Sequence, residues 1–349
     1  MSRWLIVCSG LVALLATACG DNLGVADAGI DAVVADGGFV DFPDDDDNYI
    51  PGIGSYVATL TVPDIEMGDP TCCYDFQSKS KNDGVDNGYA LFVQYLGNDQ
   101  SLNFQGIIDD VLDAGRLIWL FDPRGLRIDR TDQFTLALLH GRFEGATTVV
   151  EANAGEGTFD IRRSSFVEGT GTPKSYFDGA TFNHSLSSVF TGARNIEIPF
   201  PLFGGYVDMP LRDARITGTA SATRDGVTYT RGELSGYIVE DDFYQALNDT
   251  LTEKCSCISA DLPVFTKSGD NWTADCPSTI DLTNNCDAAE EEICIGIAGT
   301  PANDGLCTVV TFLSANQLDI DSDGDAEYDA MSFGVEFTAK EAILIDVVN

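Results

Sequence analysis

The chain has 349 residues, of which 44% are apolar, enough for one large hydrophobic core or two modest ones. Its 56 acidic residues outnumber its 19 basic residues, which gives a formal net charge of −37 at pH 7. This charge excludes nucleic acid and anionic lipid headgroups as electrostatic partners, because both are also negative. The excess of acid suggests cations as ligands.

The N-terminal segment, residues 1–18, has the features of a signal peptide. Arg3 supplies a short positive region, and an apolar stretch follows from Leu5 to Leu15. That stretch is too short to span a bilayer. The sequence therefore predicts an exported protein.

The segment just before Cys19 fits two processing sites. Residues 16–18 match the A-x-A pattern of ordinary signal peptidase, whereas residues 15–19 resemble a bacterial lipobox, with Leu15 one position further from the cysteine than usual. The chain has ten cysteines, and if Cys8 leaves with the signal and Cys19 carries lipid, an even number remains for disulfides. We therefore expect Cys19 to be lipidated, in an outer-membrane or cell-surface lipoprotein. A periplasmic or secreted protein is the alternative.

Residues 19–54 are rich in Gly and Asp and include four consecutive aspartates, Asp44 to Asp47. Such a composition buries too little apolar surface to offset the entropy of ordering the chain. It predicts a disordered acidic tether between the lipid and the folded part.

Residues 55–253 have the pattern of a β-rich domain. Alternating or β-branched apolar residues predict strands at 55–62, 89–96, 116–121 and 134–145. One helix is predicted between them, with an apolar stripe from Phe104 to Leu112 and Gly115 at its end. Asp225-Gly226 predicts a hairpin within 214–239, and a second helix follows at 240–253.

Residues 254–308 form a cysteine-rich insertion with few long apolar runs. Their spacing does not match paired C-x-x-C zinc sites, and an exported chain favours disulfides. Because a vicinal disulfide needs a strained peptide, we expect Cys72 and Cys73 each to pair elsewhere. The predicted disulfide cysteines are Cys72, Cys73, Cys255, Cys257, Cys276, Cys286, Cys294 and Cys307.

The C-terminal part, residues 309–349, is predicted to complete the β domain. In 331–337, Met331, Phe333 and Val335 alternate with small or polar residues, which predicts a half-buried strand, and 342–348 is predicted as the last strand. The overall prediction is a mainly β fold, a sandwich or flattened barrel with two helices packed on it.

An acidic loop lies just before these strands. Its carboxylates are Asp319, Asp321, Asp323, Asp325, Glu327 and Asp329. Alternate oxygen ligands of this kind are typical of calcium loops, which place ligands at positions 1, 3, 5, 7, 9 and 12 and Gly at position 6. Starting at Asp319 places Gly324 sixth but leaves Ala330 at position 12. Starting at Asp321 places Ala326 sixth. We expect one structural Ca²⁺ in either register; the alternative is a solvated acidic turn.

Two segments, 72–90 with its D-G-x-x-D-N pattern and 319–334 with its D-x-D-G-D pattern, resemble uncharacterised bacterial surface lipoproteins. The resemblance covers about a third of the chain and departs at Lys79 and Lys81, where the family tends to have acids. It implies surface location and calcium binding, and it implies no activity.

No catalytic motif of the G-x-S-x-G or H-E-x-x-H kind occurs in the sequence. His140 falls in a predicted strand and His184 in a polar loop, and Trp272 lies on the predicted insertion, where an exposed ring could stack on a sugar or partner. We therefore expect a lipid-anchored, calcium- and disulfide-stabilised surface protein with a binding or structural role and an unknown protein or carbohydrate partner. The alternative is a secreted hydrolase of polysaccharide or peptide, which clustered carboxylates with one raised pKa in a deep pocket would favour.

Overall fold

The computed structural model describes part of the chain. The described residues are 42–43, 49, 51–63, 65–66, 69–70, 72–76, 86–99, 103–145, 148–154, 157–202, 205–223, 226–255, 263–269, 271–275, 293–297 and 318–349. The predicted signal peptide, Cys19 and most of the predicted tether lie outside these ranges. So do four of the predicted disulfide cysteines, namely Cys257, Cys276, Cys286 and Cys307. The prediction of disorder is wrong for the described end of the tether, because Tyr49 is buried and its hydroxyl donates to Asp122 at 2.7 Å, and the first strand begins at Ile53.

The structure is mainly β, as predicted. The strands are β1 (Ile53–Thr61), β2 (Ile65–Glu66), β3 (Asp69–Pro70), β4 (Trp119–Arg124), β5 (Asp132–Phe143), β6 (Thr158–Arg162), β7 (Tyr176–Asn183), β8 (Ser188–Phe190), β9 (Arg194–Leu202), β10 (Gly205–Ala222), β11 (Val227–Val239), β12 (Phe265–Ser268), β13 (Asn271–Ala274) and β14 (Ala330–Val348). The helices are α1 (Gly88–Asp99), α2 (Phe104–Asp113), α3 (Val149–Asn153) and α4 (Glu240–Lys254).

One large sheet closes on itself. Its strand order is β1-β4-β5-β6-β14-β11-β10-β8-β7, with β9 paired to β10, and further pairings join β1 to β14 and β5 to β7. β14 pairs in parallel with β6 and antiparallel with β1 and β11. Closure pairs the backbone groups that an open sheet leaves at its edges. The last strand thus completes the sheet begun at β1, as predicted.

β14 is one strand of 19 residues, although the sequence predicts two separate strands in this region. The prediction that 331–337 is buried on one face only is wrong for its first half, because Ser332 and Gly334 are also buried. A Cβ added at Gly334 would meet Asn87 Nδ2 at 2.8 Å and Cys73 Sγ at 3.0 Å. The segment before α1 therefore covers the face predicted to be exposed.

The strand predicted at 89–96 is wrong, because these residues lie in α1. Asn87 Oδ1 accepts the backbone N–H of Ala90 at 3.0 Å, which satisfies one free donor at the start of the helix. Tyr89 and Phe92 are buried, and the Tyr89 ring packs edge-on against Phe200 at 5.3 Å. A short apolar run fits either a strand or a buried helix, and here packing on the sheet decides.

Most other predicted elements are confirmed. α2 begins after Asn103, whose side chain accepts the Gly106 N–H, and Gly115 follows it with φ of +65°. β10 and β11 form the predicted hairpin, and α4 buries Phe243 and Leu247 as its spacing predicts. The strand predicted at 116–121 begins later, at Trp119.

The sheet is buried on both faces. One face contributes to the larger core, where Phe121, Tyr229 and Phe337 pack with ring centroids 5.2 to 5.6 Å apart. The other face contributes to a smaller core that includes Tyr56 and Phe159. Across the described ranges, no helix is long and apolar enough to cross a membrane.

Two disulfides lie within the described residues. Cys255 at the end of α4 pairs with Cys294, with Cα atoms 5.7 Å apart. Cys72 pairs with its neighbour Cys73 across a cis peptide bond, so the expectation that each pairs elsewhere is wrong.

Candidate metal-binding loop

The acidic loop is closed at its base by a short β-bridge. The backbone N–H of Ile320 donates to the Ala330 carbonyl at 3.0 Å, and the Ala330 N–H donates to the Ile320 carbonyl at 3.1 Å. Ile320 is buried with Phe76 and Ala330 in a small apolar cluster. Residues 321–329 therefore leave and re-enter the fold at one anchored point, directly before β14.

Three of the six acidic side chains converge. Carboxylate oxygens of Asp321, Asp323 and Asp325 all lie within 4.8 Å of one another. Backbone N–H groups of the loop orient them: Asp321 Oδ1 accepts from Gly324 at 2.7 Å and Oδ2 from Ala326 at 3.0 Å. Asp323 Oδ1 accepts from Asp325 at 3.1 Å, in the same way. The backbone thereby gathers three like charges, which repel one another.

The other three acids lie outside this group. Both carboxylate oxygens of Asp319 accept hydrogen bonds from Ser332, and those of Asp329 accept from Ser322. The Glu327 side chain is exposed and is not part of the convergent group. The arrangement follows the register that starts at Asp321, with Ala326 sixth at a φ of +73°. Asp319 does not join it because it is bound to the strand.

The donor set matches a hard divalent cation. Three carboxylates at alternate positions supply oxygen ligands only, which Ca²⁺ accepts in an irregular geometry and Mg²⁺ accepts in a strict octahedron. Among the described residues, no histidine and no cysteine belongs to this carboxylate group. The arrangement can hold a cation.

Four residues attach the loop's exit to α1 through hydrogen bonds and form what we call the polar clamp: Asp319, Ser332, Gly88 and Asn87. Ser332 Oγ accepts the Gly88 N–H at 2.7 Å while donating to Asp319. Asn87 Nδ2 donates to the carbonyls of Cys72 at 3.0 Å and Gly334 at 2.9 Å. Sequence reasoning missed this clamp, because Ser332 lies on the strand face that alternation predicts to be solvated.

The loop also contacts the start of α4. The backbone N–H of Glu240 donates to the Asp329 carbonyl at 2.9 Å. Burial raises the pKa of the Glu240 carboxyl, and the charges of Asp241 and Asp329 raise it further. The charge of Lys267 lowers this pKa, so charges of both signs act on Glu240 beside the loop.

The two histidines lie in different parts of the described fold. His140 is buried on β5, and its ring lies edge-on to Tyr206. His184 is exposed in the turn after β7, where its backbone N–H donates to Thr131 Oγ1. Trp272 stacks on Tyr244 at 4.7 Å and donates to Asp241. The ring of Trp272 is half-buried against Tyr244, which leaves one face unavailable to a sugar or partner.

Comparison with known proteins identifies no relatives of this chain. No protein-family model, no curated protein and no solved structure matches it.

Proposed function

We propose that this chain is an exported, lipid-anchored cell-surface protein with a binding or structural role, stabilised by calcium and by disulfides. The signal-like residues 1–18 and the lipobox ending at Cys19 support export and anchoring. The resemblance of residues 72–90 and 319–334 to bacterial surface lipoproteins supports the same location.

The observation that carries the calcium part is the convergence of Asp321, Asp323 and Asp325. A bound Ca²⁺ offsets their mutual repulsion and holds the loop in the form that its N–H bonds already favour. Because the loop leads into β14, which pairs with three other strands, the ion stabilises the strand on which the sheet closes. We expect a dissociation constant on the order of 0.1–1 mM, typical of extracellular modules.

Two measurements test the proposal. Thermal unfolding of the mature chain in calcium should give a higher melting temperature than in chelator, and an unchanged temperature contradicts calcium stabilisation. Mass spectrometry of the mature N-terminus should show a diacylated Cys19, and an unmodified Cys19 contradicts the anchor.

A secreted hydrolase is the second candidate, and one observation favours it. Glu197 and Asp208 line a common cleft, and desolvation by neighbouring atoms together with the Glu197 charge raises the pKa of Asp208, although the residue is exposed to solvent. The cleft has a volume of only about 30 Å³, room for one or two water-sized groups. Turnover of polysaccharide or peptide substrates that is lost in Asp208→Asn would establish this alternative in place of binding.

A further inference from the structure

A small polar cleft opens on the sheet where β5, β9 and β10 meet. Its floor is buried and its rim is charged. The lining residues are Leu138, His140, Ser164, Ser165, Lys174, Ser175, Glu197, Pro199 and Asp208. No residue of the acidic loop is among them, so the cleft is a separate site.

A buried imidazole whose Nε2 lacks a hydrogen-bond partner in the described part of the chain lines the cleft. His140 is 6% exposed, and its Nε2 has no hydrogen-bond partner among the described residues. Burial lowers the pKa of His140 to about 3, with further lowering from the charges of Arg162 and Lys254. The ring is therefore neutral at pH 7, and it can accept or donate one hydrogen bond at the bottom of the cleft.

The rim offers both signs of charge. Lys174 Nζ lies 3.4 Å from Glu197 Oε1, a long and half-exposed ion pair. Asp208 pairs in register with Pro199, which places its side chain on the same face of the sheet as Glu197. Within the part of the chain that the structure describes, the Asp208 carboxylate makes no hydrogen bond or ion pair, so it is available as an acceptor.

Two of the three serines of the cleft hold its walls. Ser175 Oγ donates to the Glu197 carbonyl and accepts the Glu197 N–H at 2.9 Å, joining the start of β7 to β9. Ser165 Oγ likewise donates to the His140 carbonyl and accepts its N–H. Because the Ser165 and Ser175 hydroxyls are engaged with backbone, neither of these two is placed as a nucleophile, and Ser164, the third serine of the cleft, is exposed at the rim. This geometry fits binding better than acyl transfer.

We propose that this cleft binds a neutral carbohydrate. One hydroxyl or hydroxymethyl group enters against His140 Nε2, and the adjacent hydroxyls bond to Asp208 and Lys174 at the rim. A sugar hydroxyl both donates and accepts, which matches an imidazole, a carboxylate and an ammonium group around one opening. The carboxylates of Glu197 and Asp208 disfavour an anionic ligand. The positive charges of Lys174, Arg162 and Lys254 disfavour a cationic one.

The inference supplies a ligand class for the binding role proposed above and rests on that role alone. It requires neither the calcium site nor the lipid anchor. The sugar proposal and the calcium proposal can therefore be contradicted separately. A chain that binds no sugar can still melt at a higher temperature in calcium, and a chain whose melting temperature ignores calcium can still bind sugar.

The chain's two histidines provide an internal control for the test. Long-range ¹H–¹⁵N spectra of the ¹⁵N-labelled mature chain are recorded while glucose, galactose, mannose, N-acetylglucosamine, cellobiose and maltose are added in turn. We expect at least one sugar to shift the His140 Nε2 signal saturably, with a dissociation constant of roughly 1 mM, and to leave His184 unmoved. Equal shifts at both histidines, or none at His140 with every sugar, overturn the proposal.

Two carboxylate variants test the rim without touching the buried floor. Asp208→Asn removes the acceptor charge and should weaken binding about 10-fold, because hydrogen bonds to ionised groups are the stronger ones. Asp346→Asn changes an exposed carboxylate on β14 and should bind as the wild type does. Unchanged affinity in Asp208→Asn contradicts the proposed site. This variant should fold, since the change removes repulsion from Glu197.

Discussion

Ser332 gives both of its donors to Asp319. Its backbone N–H and its hydroxyl meet the two carboxylate oxygens at 2.7 and 2.5 Å. The hydroxyl oxygen also accepts the first N–H of α1, from Gly88. Of the six acids predicted to bind a cation, Asp319 is therefore used to attach the loop to β14 and, through Ser332, to the helix.

Replacing Ser332 should weaken the fold at this junction. Ser332→Ala removes a hydrogen bond to an ionised carboxylate and leaves the buried Gly88 N–H without its acceptor, so we expect a loss of about 2 kcal/mol in the free energy of unfolding. Denaturant unfolding measures it. Ser268→Ala, at an exposed position on β12, serves as the control and should change stability by less than about 0.5 kcal/mol. Equal stabilities of the two variants would rule out the clamp.

Removing one of the three convergent carboxylates should have opposite effects with and without calcium. Asp323→Asn keeps the Oδ1 that accepts the Asp325 N–H and lowers the repulsion with Asp321 and Asp325, so in chelator the variant should melt at or above the wild-type temperature. In calcium it should lose most of the stabilisation, because affinity falls by roughly 10-fold or more with the ligand charge.

Calorimetric titration and melting curves in both buffers check this prediction. Asp319→Asn provides a matched control on the same loop. Since Asp319 lies outside the convergent group, it should lower stability in both buffers without changing calcium affinity. If the two variants lose calcium equally, the register that starts at Asp321 is wrong.

The disulfide between Cys255 and Cys294 should contribute strongly to stability. It closes a loop with a sequence separation of 39 residues, and the loss of unfolded-state entropy from such a crosslink is worth about 4 kcal/mol. Cys255→Ala with Cys294→Ala should therefore unfold at a lower denaturant concentration. Cys72→Ala with Cys73→Ala, which opens a crosslink between neighbours, should lack this entropic loss. A larger effect in the second pair would contradict the reasoning.

Burial of neutral His140 should make the fold sensitive to acid. Its folded pKa, about 3, lies below the ordinary value of 6.5, so between these values the unfolded chain binds the extra proton. Stability therefore falls as pH drops from 6.5 towards 3, by up to about 1.4 kcal/mol per pH unit from this group. Above pH 6.5 the contribution is fully present.

The pH dependence of unfolding in His140→Gln tests this sign. The variant should show a shallower loss between pH 6.5 and 4 than the wild type, whatever its stability at neutral pH. His184→Gln, at an exposed turn position, should keep the wild-type slope. A slope unchanged in His140→Gln would show that carboxylates alone cause the acid sensitivity.

Features that depend on neighbours in the chain were predictable from the sequence. The apolar stripe of α2, the Asp-Gly pair that predicts the hairpin of β10 and β11 and the alternation of β1 each encode a local period or turn type. The alternate carboxylates of the acidic loop likewise predict oxygen ligands, because the spacing itself brings Asp321, Asp323 and Asp325 together.

Tertiary structure alone decided the features that depend on distant partners. Residues 89–96 are helical because their apolar side chains pack on the sheet, and Ser332 is buried because the segment around Asn87 covers it. The His140 cleft joins side chains from three strands whose register no local pattern reveals. Sequence periodicity reports which face of an element is apolar, whereas only the packed chain determines what covers that face and which polar groups meet there.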